Sequence, residues 1–285
     1  MPQTYIELAI GSDPAAFEAY IGLMAEEGFN GFWEDGGVLR AYIQSGKWSG
    51  SRLSELQLRL AGVASALALP PPSIAATRVQ EKNWNKAWES TIRPIRVTDH
   101  IVIAPTWHPH KPRPGDIVLT IDPKMSFGTG YHESTRLMLA LLEKHLLPGA
   151  RVLDVGTGTG VLAIAAIKLG AASALGVDND EWSYDNAKEN AGLNGLTGQF
   201  AVRRGDLSAV HEAGFDLILV NIQKDVIEKM LTGLAAHLAQ EGRLLMSGLL
   251  HADRDALVSS LRASGLKVIG EQTDHDWIAF AAVRF

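Results

Sequence analysis

Three glycines at alternate positions follow an acid in Arg151 to Gly160, RVLDVGTGTG, and the helix-like run VLAIAAIKLGA comes next. A strand that enters a glycine turn and leaves as a helix lets a ligand lie against bare backbone, with the first helical amides aimed at it. That arrangement holds a nucleotide cofactor. Gly156, Gly158 and Gly160 make GxGxG, whereas the dinucleotide pattern GxGxxG has its third glycine one residue later, where Val161 stands. Asp178 follows Gly156 at about the 20-residue separation at which an acid meets ribose hydroxyls. Asp154 and the GxGxG spacing lean toward S-adenosylmethionine (SAM). The loop by itself leaves NAD open.

Two further positions suit the same chemistry. Asp206 follows the strand-like Phe200 to Arg204, and Asn221 follows FDLILV. A methyl on a sulfonium needs an in-line nucleophile and a dry site, so positioning supplies most of the rate. The Asn221 carbonyl can accept hydrogen bonds from an incoming amine and leave its lone pair facing the methyl. A lysine must first lose a proton, at a cost of about 4 to 5 kcal/mol at pH 7, against about 1 to 1.5 for an α-amine. Upstream, Gly128-Thr129-Gly130 reads as a turn before a helix that starts at His132 or Glu133 and carries Ser134 and Thr135 in its first turn. Hydroxyls at a helix start can hold a carboxylate, and SAM has one. His132 is a proton-acceptor candidate by location alone. His108 and His110 sit in a proline-rich loop without a third ligand, so no metal is expected.

The elements that must position these residues fall into two sets. Tyr5 to Ile10, Phe29 to Glu34, Val38 to Gln44 and Ile74 to Gln80 alternate as strands, with helices from Pro14 to about Glu27 and from about Ser51 to Leu67. The order βαββαβ predicts a small α+β ferredoxin-like domain over 1–80. EKNWNKAWEST breaks the pattern, and Trp84 and Trp88 on one side of a helix make 81–98 a linker. Ile95 to Ala104 and Ile117 to Ile121 read as strands. From Arg151 onward strands and helices alternate, which predicts a doubly wound, mainly parallel sheet of seven strands over 99–285, Rossmann-like, with ligands at the strands' carboxyl ends. The last two strands, Lys267 to Gly270 and Trp277 to Val283, have no helix between them and suggest an antiparallel edge. A dehydrogenase sheet would continue βα, so this favours a SAM methyltransferase.

A chain of 285 residues with 46% hydrophobic content supports two cores. Lys and Arg number 26 against 32 Asp and Glu, without a basic run, so direct nucleic-acid binding is not expected and a basic protein partner is suited. The absence of cysteine excludes disulfides and thiol catalysis. With no signal-like start and no long apolar run, a cytoplasmic protein without membrane contact is expected.

Taken together, NWNKAWES, MSFGTGYHEST, VLDVGTGTGVLAIAAIKLGA, the acid in GVDND, VNI at Asn221 and LLMSGLL resemble the bacterial ribosomal protein methyltransferases that modify protein eleven of the large subunit, over nearly the full length. The resemblance implies a class I SAM methyltransferase domain, an N-terminal domain that captures the ribosomal protein, and methyl transfer to lysine side chains and the α-amine; a monomer is expected. It implies SAM contacts at Thr135, Gly156, Asp178 and Asn221. Thr129, Gly158, Gly160 and Asp206 complete the candidate cofactor set, and Asn221 is the candidate catalytic residue. Tyr131, Glu133 and Ser134 depart from the family's FGTGTHPTT, Thr157 and Thr159 replace its cysteine and serine, and IQKDVI replaces a proline-bearing segment. Methylation of nucleic-acid bases or small-molecule amines, and a non-catalytic ribosomal-protein adaptor, are the alternatives.

Overall fold

The computed structural model describes residues 4–29, 31–80, 92–124 and 126–285. The chain divides into two compact units, Met1–Lys86 and Ala87–Phe285.

In the first unit β1 (Thr4–Gly11), β2 (Gly31–Asp35), β3 (Val38–Gln44) and β4 (Ser73–Gln80) form one antiparallel sheet in the order β2-β3-β1-β4, with α1 (Phe17–Glu26) and α2 (Gly50–Ala66) between them in sequence. This is the ferredoxin-like order that βαββαβ predicts. Alternation decides the faces: Ile6, Leu8 and Ile10 of β1 and Leu39, Ala41 and Ile43 of β3 are buried with Phe17, Tyr20, Met24, Leu56 and Leu60 from the helices. Asp13 accepts from Ala15 N–H at 2.9 Å and Pro14 opens the turn into α1. Gly36 and Gly37, both at positive φ, reverse the chain between β2 and β3.

The second unit opens with β5 (Ile95–Arg96), β6 (Ile101–Ala104) and β7 (Ile117–Thr120), a small sheet in which β5 and β6 are antiparallel and β6 and β7 parallel. The single strand expected over 95–104 is thus two. Thr98 Oγ1 accepts from the Ile101 N–H at 2.9 Å, a side-chain turn that competes with the ladder and folds the segment back. The linker helix expected at Trp84 and Trp88 lies outside the described residues.

Then come α3 (Glu133–His145), β8 (Arg151–Val155), α4 (Val161–Lys168), β9 (Ser173–Asp178), α5 (Glu181–Leu193), β10 (Phe200–Arg204), β11 (Phe215–Asn221), α6 (Lys224–His237), β12 (Leu238–Leu250), α7 (Arg254–Ala263), β13 (Leu266–Asp274) and β14 (Trp277–Arg284). Their seven strands make one sheet in the order β10-β9-β8-β11-β12-β14-β13. Five are parallel; β14 runs antiparallel to both neighbours, as the missing helix before it implies. One face is covered by α3, α4 and α5, the other by α6 and α7. Every residue of α4 from Val161 to Ile167 is buried, which explains a helix with no polar face. The strand order reverses between β8 and β11, so a crevice opens at their carboxyl ends. Among the described residues no helix is long and apolar enough to cross a membrane.

Candidate functional site

The loop after β8 meets the crevice first, and its backbone donors are all committed inside the protein. The N–H groups of Gly156 and Thr157 donate to the Val177 carbonyl at 2.9 and 3.1 Å, Thr159 N–H to Phe127 O at 2.9 Å, and Gly160 N–H to Thr157 O at 2.8 Å. Gly158 N–H donates to Asp178 Oδ2 at 2.9 Å and Val161 N–H to Thr159 Oγ1 at 3.3 Å. The loop's own N–H groups are therefore not turned toward a ligand. A pyrophosphate needs those donors free, whereas a cofactor without phosphates needs only close approach to the backbone. The SAM alternative fits this loop and the dinucleotide one does not.

Glycine is required here for two separate reasons. Gly156, Gly158 and Gly160 all have positive φ, and a Cβ on Gly158 would lie 2.4 Å from the Phe127 carbonyl oxygen. That carbonyl belongs to the 126–131 segment, which Thr159 staples down by donating its hydroxyl to Gly128 O at 2.9 Å. Sequence reasoning had noted Thr159 only as a departure from the family.

Asp154, 1% exposed, accepts from Thr157 Oγ1 at 2.7 Å. Burial raises its carboxyl from an ordinary value of 3.8 to about 7; the Thr157 hydrogen bond opposes this and the Asp178 charge adds to it. Asp178 ends β9, and its oxygens accept from Gly158 N–H and from Asp180 N–H at 3.0 Å. Each carboxylate oxygen retains lone-pair capacity for a ribose hydroxyl. Asp206 caps the turn after β10, accepting from Ser208 N–H at 2.8 Å and Ser208 Oγ at 2.6 Å, and those bonds hold its carboxyl below the usual range.

Among the buried side-chain atoms without a hydrogen-bond partner, two belong to candidate cofactor residues. Asn221 is the last residue of β11, and its buried Oδ1 has no hydrogen-bond partner among the described residues; nor does the buried Thr135 Oγ1 in the first turn of α3. An unsatisfied buried acceptor or donor costs about 1–3 kcal/mol. Thr129, by contrast, accepts from Tyr131 N–H at 3.3 Å and shapes its own turn.

His132 caps α3. Its Nδ1 accepts from Ser134 N–H at 3.2 Å, and the ring stands edge-on between Phe127 and Trp277, with centroids 5.2 and 4.5 Å away. That contact occupies Nδ1 in a structural role. The substituted Tyr131 is also bound: its hydroxyl donates to Arg93 O at 2.7 Å and accepts from Arg93 N–H at 2.8 Å. Glu133 joins Arg136, which reaches Asp274 at 2.7 Å. His110 lies 3.2 Å from Asp116, which also pairs with Arg96. Among the described residues no group of three or more His, Asp or Glu side chains is placed to hold a metal ion.

Gly248 is a site residue that sequence reasoning passed over within LLMSGLL. Ser247 pairs with Asn221 across β12 and β11, and the register against β14 then shifts between Met246 and Leu249. At this bulge Gly248 has φ +85°, and a Cβ there would sit 2.2 Å from the Ile222 carbonyl oxygen. A Cβ on Gly156 would in turn meet Ile222 Cγ2 at 2.5 Å. Ile222, the residue after Asn221, thus packs its side chain against Gly156 and its backbone against Gly248. A glycine inside a strand run is the signal that could have found it.

The family model described as "Ribosomal protein L11 methyltransferase (PrmA)" matches residues 36–284. A curated ribosomal protein L11 methyltransferase from Chlorobaculum tepidum is 35% identical over 287 residues, covering 98% of this chain and 96% of the relative. One from Symbiobacterium thermophilum is 40% identical over 206 residues, covering 72% and 67%. The crystal structure of a ribosomal protein L11 methylase from Lactobacillus delbrueckii subsp. bulgaricus superposes with a TM-score of 0.64 at 31% identity, covering 68% of this chain and 99% of that one.

Two outcomes follow from the buried groups. The Asp154 carboxyl binds its proton more tightly folded than unfolded, so its contribution to stability is full below about pH 4 and is lost as pH rises toward about 7. Urea titrations should show the wild type losing on the order of a few kcal/mol relative to Asp154→Asn across that window; parallel pH profiles would refute the burial argument. Gly248→Ala should lower the unfolding free energy measured in urea by more than about 1 kcal/mol, through left-handed strain and the clash with Ile222.

Proposed function

Because the chain belongs to the ribosomal protein L11 methyltransferase family, we propose that it transfers methyl groups from SAM to lysine side chains and the N-terminal amine of large-subunit ribosomal protein eleven. The chain is a SAM-dependent methyltransferase. The observation that carries the cofactor assignment at this site is the glycine loop whose every N–H from Gly156 to Val161 is taken internally. It leaves room for an adenosyl group against bare backbone and no cradle for phosphate.

Thr135 offers its unpaired hydroxyl to the cofactor's carboxylate at the positive end of α3. Asp178 accepts from the ribose hydroxyls, with Gly158 N–H keeping the carboxylate aligned. Gly156, Gly158 and Gly160 give close approach, while Thr129 and the capped turn at Asp206 border the site from opposite loops. When bound, SAM supplies an electrophilic methyl on a sulfonium. Asn221 acts on the other reactant: Oδ1, buried and unpaired, accepts an N–H of the neutral amine and turns its lone pair toward the methyl. Ile222, next in the chain, packs against Gly156 and Gly248.

Residues 1–80 capture the ribosomal protein, 81–98 link, and 99–285 carry the chemistry, in a monomer that works in the cytoplasm on protein rather than on nucleic acid or membrane. The net charge of −6 suits a basic substrate. Beyond Asn221, Lys224 at the start of α6 pairs with Asp253 at 2.8 Å and ties that helix to the start of α7.

Intact-mass and peptide mass spectrometry of ribosomal protein eleven from a strain lacking this gene should show its methyl groups missing, and restored by the wild-type chain; an unchanged mass would sink the assignment. In the purified enzyme, Asn221→Ala should reduce kcat by about 100-fold at saturating SAM, the scale expected for a mispositioned nucleophile.

A further inference from the structure

Helix α5 carries asparagines at 186 and 190, and its C-cap is Asn194, so the three recur every four residues along a single side. In a sequence they read as an ordinary polar helix surface. In the fold all three are spent on the backbone of other segments. Asn194 accepts from Thr120 N–H at 3.0 Å and donates to Thr120 O at 2.7 Å. Asn190 accepts from Asp122 N–H at 3.0 Å, and Asn186 donates to Asp122 O at 2.8 Å. Alternate residues of a strand turn their peptide groups to the same side. Ile121 N–H bonds back to Ala104 at the end of β6, so Thr120 and Asp122 face the other way, where the amide ladder stands in for a missing strand.

Asn190 does something its two neighbours do not. It is 0% exposed, and its amide nitrogen also donates to the Thr159 carbonyl in the glycine loop at 2.9 Å. Thr159 in turn holds Phe127 O through its N–H and Gly128 O through its hydroxyl. One primary amide thus closes a circuit from Asp122, through the glycine loop, to the segment that bears Thr129 and leads to Thr135. The two walls of the cofactor site are spaced by it.

We propose that Asn190 is a positioning residue for SAM, setting the gap between the glycine loop and the 122–135 segment without touching the cofactor; this rests on the SAM-dependent reading above. Asn190→Asp is nearly isosteric. It keeps an acceptor for Asp122 N–H and replaces the donor facing Thr159 O by a second acceptor. Asn194→Ala removes the bonds to Thr120 and one to the Asn190 main-chain carbonyl, leaves the Asn190 side-chain amide and its bonds to Asp122 and Thr159 in place, and serves as the comparison.

The test is calorimetric titration of SAM into the full-length wild type and both variants, with thermal melts and methyl-transfer kinetics alongside. Asn190→Asp should raise the SAM Kd at least tenfold and raise the KM for SAM in parallel, with kcat at saturation within about threefold of wild type. Asn194→Ala should lower the melting temperature and leave the SAM Kd within twofold. Equal SAM affinity in Asn190→Asp and wild type overturns the inference, as does an equal loss in Asn194→Ala, which would make the effect one of general destabilisation. If Asn190→Asp does not fold, the wild type decides by amide exchange: SAM should slow exchange of the Asp122 N–H and the Asn190 side-chain amide at least tenfold, and unchanged rates overturn the inference. A wild-type chain that binds no SAM would sink the cofactor reading first, and this inference with it.

Discussion

Six consecutive peptide N–H groups, from Gly156 to Val161, find their acceptors within the protein: a strand carbonyl, the Asp178 carboxylate, a loop carbonyl from the 126–131 segment, and the turn itself. A loop in this state is rigid and electrically closed. It does not draw an anion in, and it can be approached by a neutral sugar and base at van der Waals distance. The positive φ values of its three glycines follow from that winding, because the chain must turn back on itself tightly enough for Gly156 and Thr157 to share one acceptor. Thr159, fully buried, is where the winding meets the neighbouring segment. Polarity in the site is consequently concentrated in a few side chains: Asp178, Thr135 and Asn221.

The same economy explains what reading the residues in order could find. Strand ends were legible because βα alternation fixes a parallel sheet and a parallel sheet puts its ligands at carboxyl ends; Asp178 and Asn221 stand there, and Asp206 just past one. The ferredoxin-like order was legible for a similar reason, since period-two runs and a glycine hairpin leave little choice of pairing. The split of 95–104 was not, because Thr98 defeats an apolar run through one hydroxyl that pattern alone treats as strand-compatible. Nor was the ladder on α5. Asparagine on a helix face is most often solvated, and its use as a strand's hydrogen-bonding partner depends on a segment some 70 residues away. The orphaned atoms of Thr135 and Asn221 are tertiary facts altogether.

Asp154 and Asp178 show how two acids in one loop can serve different ends. Asp178, partly exposed, accepts from two N–H donors and keeps lone pairs that hydroxyls can address. Asp154, sealed beneath the loop with Thr157 against it, holds its proton far above the ordinary range, so near neutrality it sits between charge states. Burial drives the difference. The acid nearer the core braces the loop, and the one nearer water keeps lone pairs open to the crevice.

The Tyr131 hydroxyl grips the main chain of residue 93 from both sides, as donor to its carbonyl and acceptor from its N–H. A bond to main chain is blind to side-chain identity. As far as this contact is concerned, position 93 can drift through evolution to any residue except proline, which lacks the donor, while position 131 is confined to a side chain of that length ending in a hydroxyl. The two sites touch, yet they would leave no covariation signature in a set of related sequences, and a contact inferred from paired substitutions would miss one of the closest links between the segment at 93 and the cofactor loop.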